Sequence, residues 1–312
     1  MNKIAIIIHG GAGPDSEFIQ KNADAYKKAL EEALNAGYDV LKAGGHAVDA
    51  VEAAINVMED NALFNAGRGS ALNEKAEVEM DASIMNGENR KSGSVAIVKN
   101  VKNPVTLARG VMEKTSHIYL GDMGALEFAK KIGLQLRPEA YFITDHAFEQ
   151  YNSAQAEGDG GTINEAGEYQ VRRKTHGTVG AVALDAKGNV AAGTSTGGTE
   201  NKVPGRIADS SMVGIGSYAD NKTCAVSCTG DGEYLIQHVS AFHISTLVEY
   251  KGMGLQQACD YLIHEKCKDV DGDMGLIAVD PQGNLAHAFN SERMHRAWRS
   301  GDGPVEVKIY RE

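Results

Sequence analysis

The sequence predicts an α+β architecture, a four-layer αββα sandwich in which two packed sheets are covered by helices on both outer faces. Two observations carry that expectation. Strands are segregated from helices in both halves of the 312-residue chain, and one hairpin occurs twice. VGAVALDAKGNVAAGTSTGG from Val179 and MGLIAVDPQGNLAHAFNSE from Met274 each read as strand, Asp-x-x-Gly-Asn turn and strand, with Asp and Gly supplying the turn chemistry. Related strands of this kind belong in one sheet or in two stacked sheets. The length suffices for a substantial core, and residues 1–312 read as a single domain.

In chain order, residues 4–8 form an apolar run of strand length, closed by His9-Gly10-Gly11-Ala12-Gly13. Those glycines permit a tight turn and close approach of another group. No strand-GxGxxG-helix or Walker pattern follows, so support for a phosphate cradle is weak. Over 24–43 and 46–60, apolar residues recur at three- and four-residue spacing, with Gly44-Gly45 as the break, which predicts two amphipathic helices. LFNAGRGS, from Leu63, is a glycine-punctuated loop. Strands are expected over 78–85 and 94–99, and helices over 104–114 and 122–132. The pattern then fades into a polar tract, 152–175, that has almost nothing to bury and predicts a flexible linker over 152–177. Between the two hairpins, strands near 211–218 and 223–228 precede helices over 233–250 and 255–266.

A formal charge of −11 and a pI near 5.4 argue against a nucleic-acid partner or an anionic membrane surface, because no Lys/Arg cluster offsets the deficit. Any anionic substrate therefore needs a local cation. Cys224, Cys228, Cys259 and Cys267 contain no CxxC pair and read as reduced structural thiols. The opening MNKIAIIIHGG is too short for a signal-peptide core or a membrane span, which places the protein in the cytoplasm. Asp269-Val270-Asp271-Gly272-Asp273 resembles the start of a calcium loop, yet Met274 and Asp280 stand where glycine and glutamate would be required. It reads as a polar turn.

The chain's chemistry centres on His176-Gly177-Thr178-Val179-Gly180, where the polar tract meets the first strand of the repeated hairpin. A β-branched residue opening a strand needs no function. Here, however, Gly177 can adopt backbone angles closed to other residues, and the Thr178 hydroxyl follows a carbonyl that it could attack. An N-to-O acyl shift and hydrolysis would leave Thr178 as a new N-terminus. Its α-amine, with a pKa of roughly 7.7 to 8, would then serve as a general base beside its own hydroxyl. Downstream, Thr194-Ser195-Thr196-Gly197-Gly198 closes the hairpin, and Cys228-Thr229-Gly230-x-Gly232-Glu233 sits at a strand-to-helix junction suited to a developing alkoxide. Arg206 and Asp209 offer one cation and one anion, as an amino acid's carboxylate and amine require.

HGG near the N-terminus, LFNAGRGS, HGTVGAVALD, TSTGG, NKxxGRxxDS and SCTGxGE occur in this order, with SHIYLGDMGALEFA and FNSERMHRAW besides. This set, spread over nearly the whole chain, resembles the plant-type L-asparaginase/isoaspartyl aminopeptidase family of N-terminal-nucleophile hydrolases. The resemblance implies an αββα fold and self-cleavage into an α subunit (1–177) and a β subunit (178–312), assembled as a dimer of αβ heterodimers. It implies hydrolysis of L-asparagine and of β-aspartyl dipeptides, with no cofactor for the chemistry. Carried onto matching positions, Thr178 is the nucleophile, Thr196 assists it, and Thr229 with Gly230 forms the oxyanion hole. Arg206 holds the substrate α-carboxylate, and Asp209 with the Gly232 carbonyl holds the α-amine. Asn65 lies near the nucleophile, and the HGG turn touches the precursor's scissile region. A structural sodium ion is implied on the backbone carbonyls of Met58, Glu59, Asn61, Phe64, Ala66 and Arg68.

Thr199-Glu200, Ala208 and Ser211 depart from the family's usual residues and bear on pocket shape. A glycosylasparaginase-like hydrolase is the alternative enzyme, disfavoured because Gly177 stands where that family carries aspartate. An unprocessed homologue acting as a binding module is the other, disfavoured by intact Thr178, Thr196 and Thr229. The first expected outcome follows from the junction itself: purified protein runs as two fragments on a denaturing gel, Thr178→Ala stays one chain, and Thr178→Ser still cleaves because a hydroxyl remains. Fragments of Thr178→Ala ending at the same junction, seen by intact mass, would contradict it.

Overall fold

A computed structural model describes residues 4–156, 162–163, 169–170 and 177–311. The chain opens on β1 (Ala5–Gly13), followed by α1 (Glu17–Lys21), α2 (Ala23–Lys42) and α3 (Ala47–Glu59). Strands β2 (Met80–Asn86) and β3 (Ser92–Val98), helix α4 (Pro104–Lys114), strand β4 (Tyr119–Gly121) and helices α5 (Asp122–Lys131) and α6 (Asp145–Ala156) come next. After the short pair β5 (Thr162–Ile163) and β6 (Tyr169–Gln170), the repeated hairpins appear as β7 (Val179–Leu184) with β8 (Val190–Thr196) and β11 (Met274–Val279) with β12 (Leu285–Phe289). Between them lie β9 (Ser217–Ala219), β10 (Ala225–Gly230), α7 (Gly232–His238), α8 (Ser240–Lys251) and α9 (Leu255–Asp260); β13 (Arg293–Ser300) and β14 (Glu306–Tyr310) end the chain.

These strands form an eight-stranded sheet in the order β14-β13-β1-β7-β8-β2-β3-β4 and a four-stranded sheet in the order β12-β11-β10-β9. Three apolar layers hold the sandwich together. Because alternate side chains leave a strand on opposite faces, Ile6 and Ile8 of β1 join Leu30, Leu34, Val51 and Ile55 under α2 and α3. Ala5 and Ile7 face the other way, into a layer between the sheets with Val182, Ile277 and Val279. Val226, Leu276 and Met274 on the outer face of the small sheet pack against Ile244, Leu247 and Leu262. The four-layer αββα expectation is borne out, and the two hairpins fall in different sheets. Their turns share one geometry: Asp185 Oδ1 and Asp280 Oδ1 each accept the N–H groups two and four residues on, and Gly188 and Gly283 adopt φ of 87° and 81°.

Several local expectations are corrected. The first strand does not stop at His9; it continues to Gly13 through a bulge between His9 and Ala12, with Gly11 at φ 111°, because β13 supplies partners on the far side. The helix expected over 233–250 breaks at Val239, which takes left-handed angles (φ 48°). Its neighbour over 255–266 is α-helical to Asp260 and π-helical over Tyr261–Lys266. Most of 211–218 is irregular, preceded by a 3-10 turn at Asp209–Ser211. Residues 152–156 complete α6, where Ala154 is buried, instead of beginning a linker. Thr144 Oγ1 accepts the Ala147 N–H at the start of that helix, a capping signal present in the sequence. The rest of the expected linker through 176, His176 included, lies outside the described residues apart from β5 and β6.

Among the described residues no helix is long and apolar enough to cross a membrane. All four cysteines are buried and unpaired, and burial pushes the Cys224 thiol up to about 12.

The sheets pack closely at Gly180, where a Cβ would fall 2.0 Å from Ser227 Oγ of the second sheet and 2.4 Å from His9 Nε2. Gly180→Ala should therefore force the sheets apart and lower the denaturant midpoint by an amount equivalent to about 1–3 kcal/mol. An unchanged midpoint would show that the packing there is slack.

Candidate active site

Thr178 immediately precedes β7, and β7 is hydrogen-bonded to β1 on one side and β8 on the other. Its side chain is buried and donates to Thr196 Oγ1 at 3.3 Å, at the end of β8. Thr196 Oγ1 donates in turn to the Gly177 carbonyl at 3.0 Å and accepts the Gly198 N–H at 3.0 Å. The Gly177 carbonyl has a second donor, Asn65 Nδ2, at 2.9 Å; the same nitrogen reaches the Gly198 carbonyl at 2.7 Å. Asn65 is itself fixed because its Oδ1 accepts the Ala71 N–H at 2.7 Å and its carbonyl accepts the Gly197 N–H at 3.1 Å. Both donors thus converge on the carbonyl of the Gly177–Thr178 bond.

On the far side of Thr178, its own carbonyl accepts from His9 Nδ1 at 2.9 Å. A carbonyl only accepts, so Nδ1 carries the proton, and Nε2 accepts from Ser227 Oγ at 2.8 Å. Burial pushes His9 down to about 3, so the ring is neutral throughout the physiological range. Gly11 lies against the junction, where a Cβ would sit 3.0 Å from Gly177 Cα.

Thr178, Thr196, Gly198, Thr199, Arg206, Ala208, Asp209 and Gly230 line one narrow cleft. Two oppositely charged side chains face each other within it. Arg206 is anchored by Glu233 Oε1, which accepts from Nε at 3.2 Å and from Nη2 at 3.0 Å. Asp209 is buried, and its Oδ2 has no hydrogen-bond partner among the described residues. Burial pushes its carboxyl up to about 7, against the opposing pull of Arg206. Gly232 lies against both, since a Cβ there would fall 2.8 Å from Asp209 Oδ1 and 3.0 Å from Arg206 Nη2. Gly230, at φ 121°, ends β10 just before the first turn of α7. Thr229 is buried beside it, and its Oγ1 accepts the Ala12 N–H at 3.2 Å, which leaves its own hydrogen for another acceptor.

Two further charged side chains lie buried beneath this cleft. Lys202 is buried and donates to the carbonyls of Glu79 at 2.6 Å and Gly197 at 2.9 Å, holding the TSTGG turn; burial pushes it down to about 8. Asp81, also buried, accepts the N–H groups of Ile97 and Ala208. Lys202 belonged to the NKxxGRxxDS pattern, which was the available signal. Asp81 carried none.

The loop expected to hold an ion follows α3 but does not enter the cleft. The carbonyls of Met58, Glu59 and Asn61 each accept a backbone N–H, from Asn61, Arg68 and Phe64. Gly67 (φ 54°) and Gly69 (φ 102°) let the loop curl tightly: a Cβ on Gly69 would fall 2.7 Å from the Phe64 carbonyl oxygen and 2.8 Å from that of Ala62. The Glu59 carboxyl, pushed up to about 8 by burial, ties the loop's base to Ser195 Oγ at 2.7 Å and to the Val105 N–H at 3.0 Å. Among the described residues no cluster of three or more His, Cys, Asp or Glu side chains could hold a metal ion.

The profile of the family described as asparaginase matches residues 2–309. The chain is similar to an isoaspartyl peptidase of Salmonella typhimurium, 44% identical and covering 100% of both chains. It is 42% identical to the isoaspartyl peptidase of Escherichia coli, over 100% of this chain and 98% of that one. With the isoaspartyl peptidase/L-asparaginase of Homo sapiens the identity is 40%, over 99% of this chain and 96% of the other.

Asp209 yields a stability prediction whose sign follows from its environment. Its carboxyl titrates near 3.8 in the unfolded chain and near 7 in the fold, so between those values the native state holds more protons and stability falls as pH rises. Asp209→Asn should therefore gain on the parent by roughly 2–4 kcal/mol between pH 4 and pH 7.5, read from denaturant midpoints. A constant difference across that range would mean that Asp209 titrates normally.

Proposed function

Because the chain belongs to the asparaginase family, we propose that it is a self-activating threonine amidohydrolase that converts L-asparagine to L-aspartate and ammonia and removes β-aspartyl residues from dipeptides. One observation carries the reading at the level of residues: the Gly177 carbonyl is held by two side-chain donors beside a buried threonine hydroxyl, at the head of a cleft that offers one cation and one unpaired carboxylate.

Processing begins when Thr178 Oγ attacks the Gly177 carbonyl carbon. Asn65 Nδ2 and Thr196 Oγ1 already donate to the oxygen on which negative charge develops, which is electrostatic preorganisation for that step. The C–N bond breaks, the nitrogen takes the proton, and water hydrolyses the ester. The chain is thereby divided into an α subunit, 1–177, and a β subunit, 178–312. The freed Thr178 amine then acts as general base for its own hydroxyl. In turnover Thr178 Oγ attacks the substrate's β-amide carbonyl, Thr229 Oγ1 and Gly230 N–H receive the oxyanion, and ammonia or an amine departs. Water cleaves the acyl-enzyme. Arg206 pairs with the substrate α-carboxylate, and Asp209, with the Gly232 carbonyl, receives the α-ammonium; an ammonium beside Asp209 restores the ionised carboxylate that burial disfavours. Thr199 and Ala208, which depart from the family's usual residues, line the same cleft and shape its selectivity.

The carbonyls of Met58, Glu59, Asn61, Phe64, Ala66 and Arg68 would hold a structural sodium ion. The tight curl around Gly67 and Gly69 supports this, because it crowds carbonyl oxygens into a space that a side chain would fill. The ion would brace the loop that carries Asn65 and take no part in the chemistry. Exposed Ile118, Tyr119 and Met123, at and beside edge strand β4, support self-association as a dimer of αβ heterodimers. Four buried unpaired thiols support a reducing, cytoplasmic location.

The test separates maturation from turnover. The processed parent should release ammonia from L-asparagine and free amino acid from β-aspartyl dipeptides. Arg206→Leu should still cleave itself, since no aspartyl ligand takes part in that step, but should lose roughly 30- to several-thousand-fold in kcat/KM. A cleaved, folded Arg206→Leu protein with the parent's efficiency would remove Arg206 from the site.

A further inference from the structure

The Gly177–Thr178 junction separates two recesses. Thr178 lines the Arg206–Asp209 cleft, whereas Gly177 and Asn65 line a larger cavity of about 120 Å³ on the other side, together with Tyr26, Phe64, Arg293 and His295. Arg293 is only 4% exposed. Its Nη1 bonds His295 Nδ1 at 3.1 Å, and its Nε has no partner among the described residues. His295 is held neutral by burial and by Arg293 and stacks on Tyr26 with ring centroids 4.3 Å apart, so it supplies no countercharge.

Among the described residues no carboxylate lies within ion-pairing distance of Arg293, whereas Arg206 and Arg109 each have theirs. Asp15 and Glu200 also line the cavity; Asp15, whose carboxylate accepts from Gln20 Nε2 at 2.7 Å, and Asp273 act on Arg293 only from beyond ion-pairing distance. A desolvated guanidinium without a carboxylate in direct contact is costly, and in a chain of net charge −11 a contacting partner would be easy to supply. The arrangement is that of an anion-binding group waiting for a ligand. Arginine's planar fork matches a carboxylate.

We propose that Arg293 binds the α-carboxylate of the leaving residue when the substrate is a β-aspartyl dipeptide; this rests on the amidohydrolase reading above. With the aspartyl moiety held in the Arg206–Asp209 cleft and its β-carbonyl at Thr178, the leaving residue extends past the junction toward the cavity that Gly177 lines. Its carboxylate is ionised in substrate and product alike. Arg293 therefore binds ground and transition states similarly, and its contribution falls mainly on KM. Asp15 and Glu200, which line the cavity, disfavour acidic side chains on the leaving residue. L-Asparagine, whose leaving group is ammonia, does not reach Arg293.

The test compares β-aspartyl-leucine with β-aspartyl-leucinamide, which lacks only the terminal charge, on fully processed protein. The parent should favour the acid by about 10- to 100-fold in kcat/KM, mostly through KM. Arg293→Gln should bring that ratio close to one, and Arg293→Lys should retain part of it. Equal efficiencies for acid and amide in the parent would overturn the proposal, as would an Arg293→Gln protein that slows both substrates equally and keeps the ratio. If Arg293→Gln does not fold, the parent comparison decides alone. A processed parent that cleaves neither dipeptide nor L-asparagine would instead overturn the amidohydrolase reading itself.

Discussion

Strand β7 lies between β1 and β8 with both faces buried, and Thr178 is the residue immediately before it. Val179, Ala181 and Ala183 pack under the helices, while Val182 and Leu184 pack between the sheets. A one-residue slip would exchange those faces, so the register is strongly specified, and with it the position of the Thr178 hydroxyl and of the Gly177 carbonyl behind it. Gly180 carries the constraint to the second sheet. Without a side chain there, His9 can reach between the layers to the Thr178 carbonyl on one side and Ser227 on the other. The sandwich and the site are held by the same contacts.

The buried charges follow from what the cleft must bind. Asp209 and Arg206 line one cleft, and among the described residues Asp209 Oδ2 has no hydrogen-bond partner. Glu233 restrains Arg206 from the side, at the first turn of α7. Lys202 and Asp81 are buried beneath, with their charges near one another, and fix the turns that carry Gly197 and Ala208. Such a set is expensive for stability. Extensive apolar layers on both sides of the large sheet offset it.

Two sets of donors surround one junction. Asn65 and Thr196 donate to the carbonyl within the chain, whereas Thr229 and Gly230 lie at the end of β10, with Gly230 lining the cleft. The two recesses are lined by different charged groups, Arg206 and Asp209 in one and Arg293, Asp15 and Glu200 in the other.

The glycine and threonine motifs and the paired turns were legible in the sequence because their chemistry is local. A Gly-Thr pair at the edge of a polar tract, an Asp-x-x-Gly-Asn turn, or an Arg and an Asp three residues apart can each be read within ten residues. The layered fold was legible too, from segregated strands and helices. What the sequence could not show depends on partners far along the chain. The continuation of β1 past His9 requires β13; the role of His9 requires Ser227, 218 residues away; Lys202 reaches Glu79 across 123 residues. The break at Val239 requires a backbone conformation that its β-branched side chain disfavours, so only packing selects it. Arg293 was visible only as one residue of a motif. That it is buried, lines the same cavity as Gly177 and, among the described residues, has no carboxylate within ion-pairing distance is a property of the folded chain, because burial and charge spacing exist only once distant segments have met.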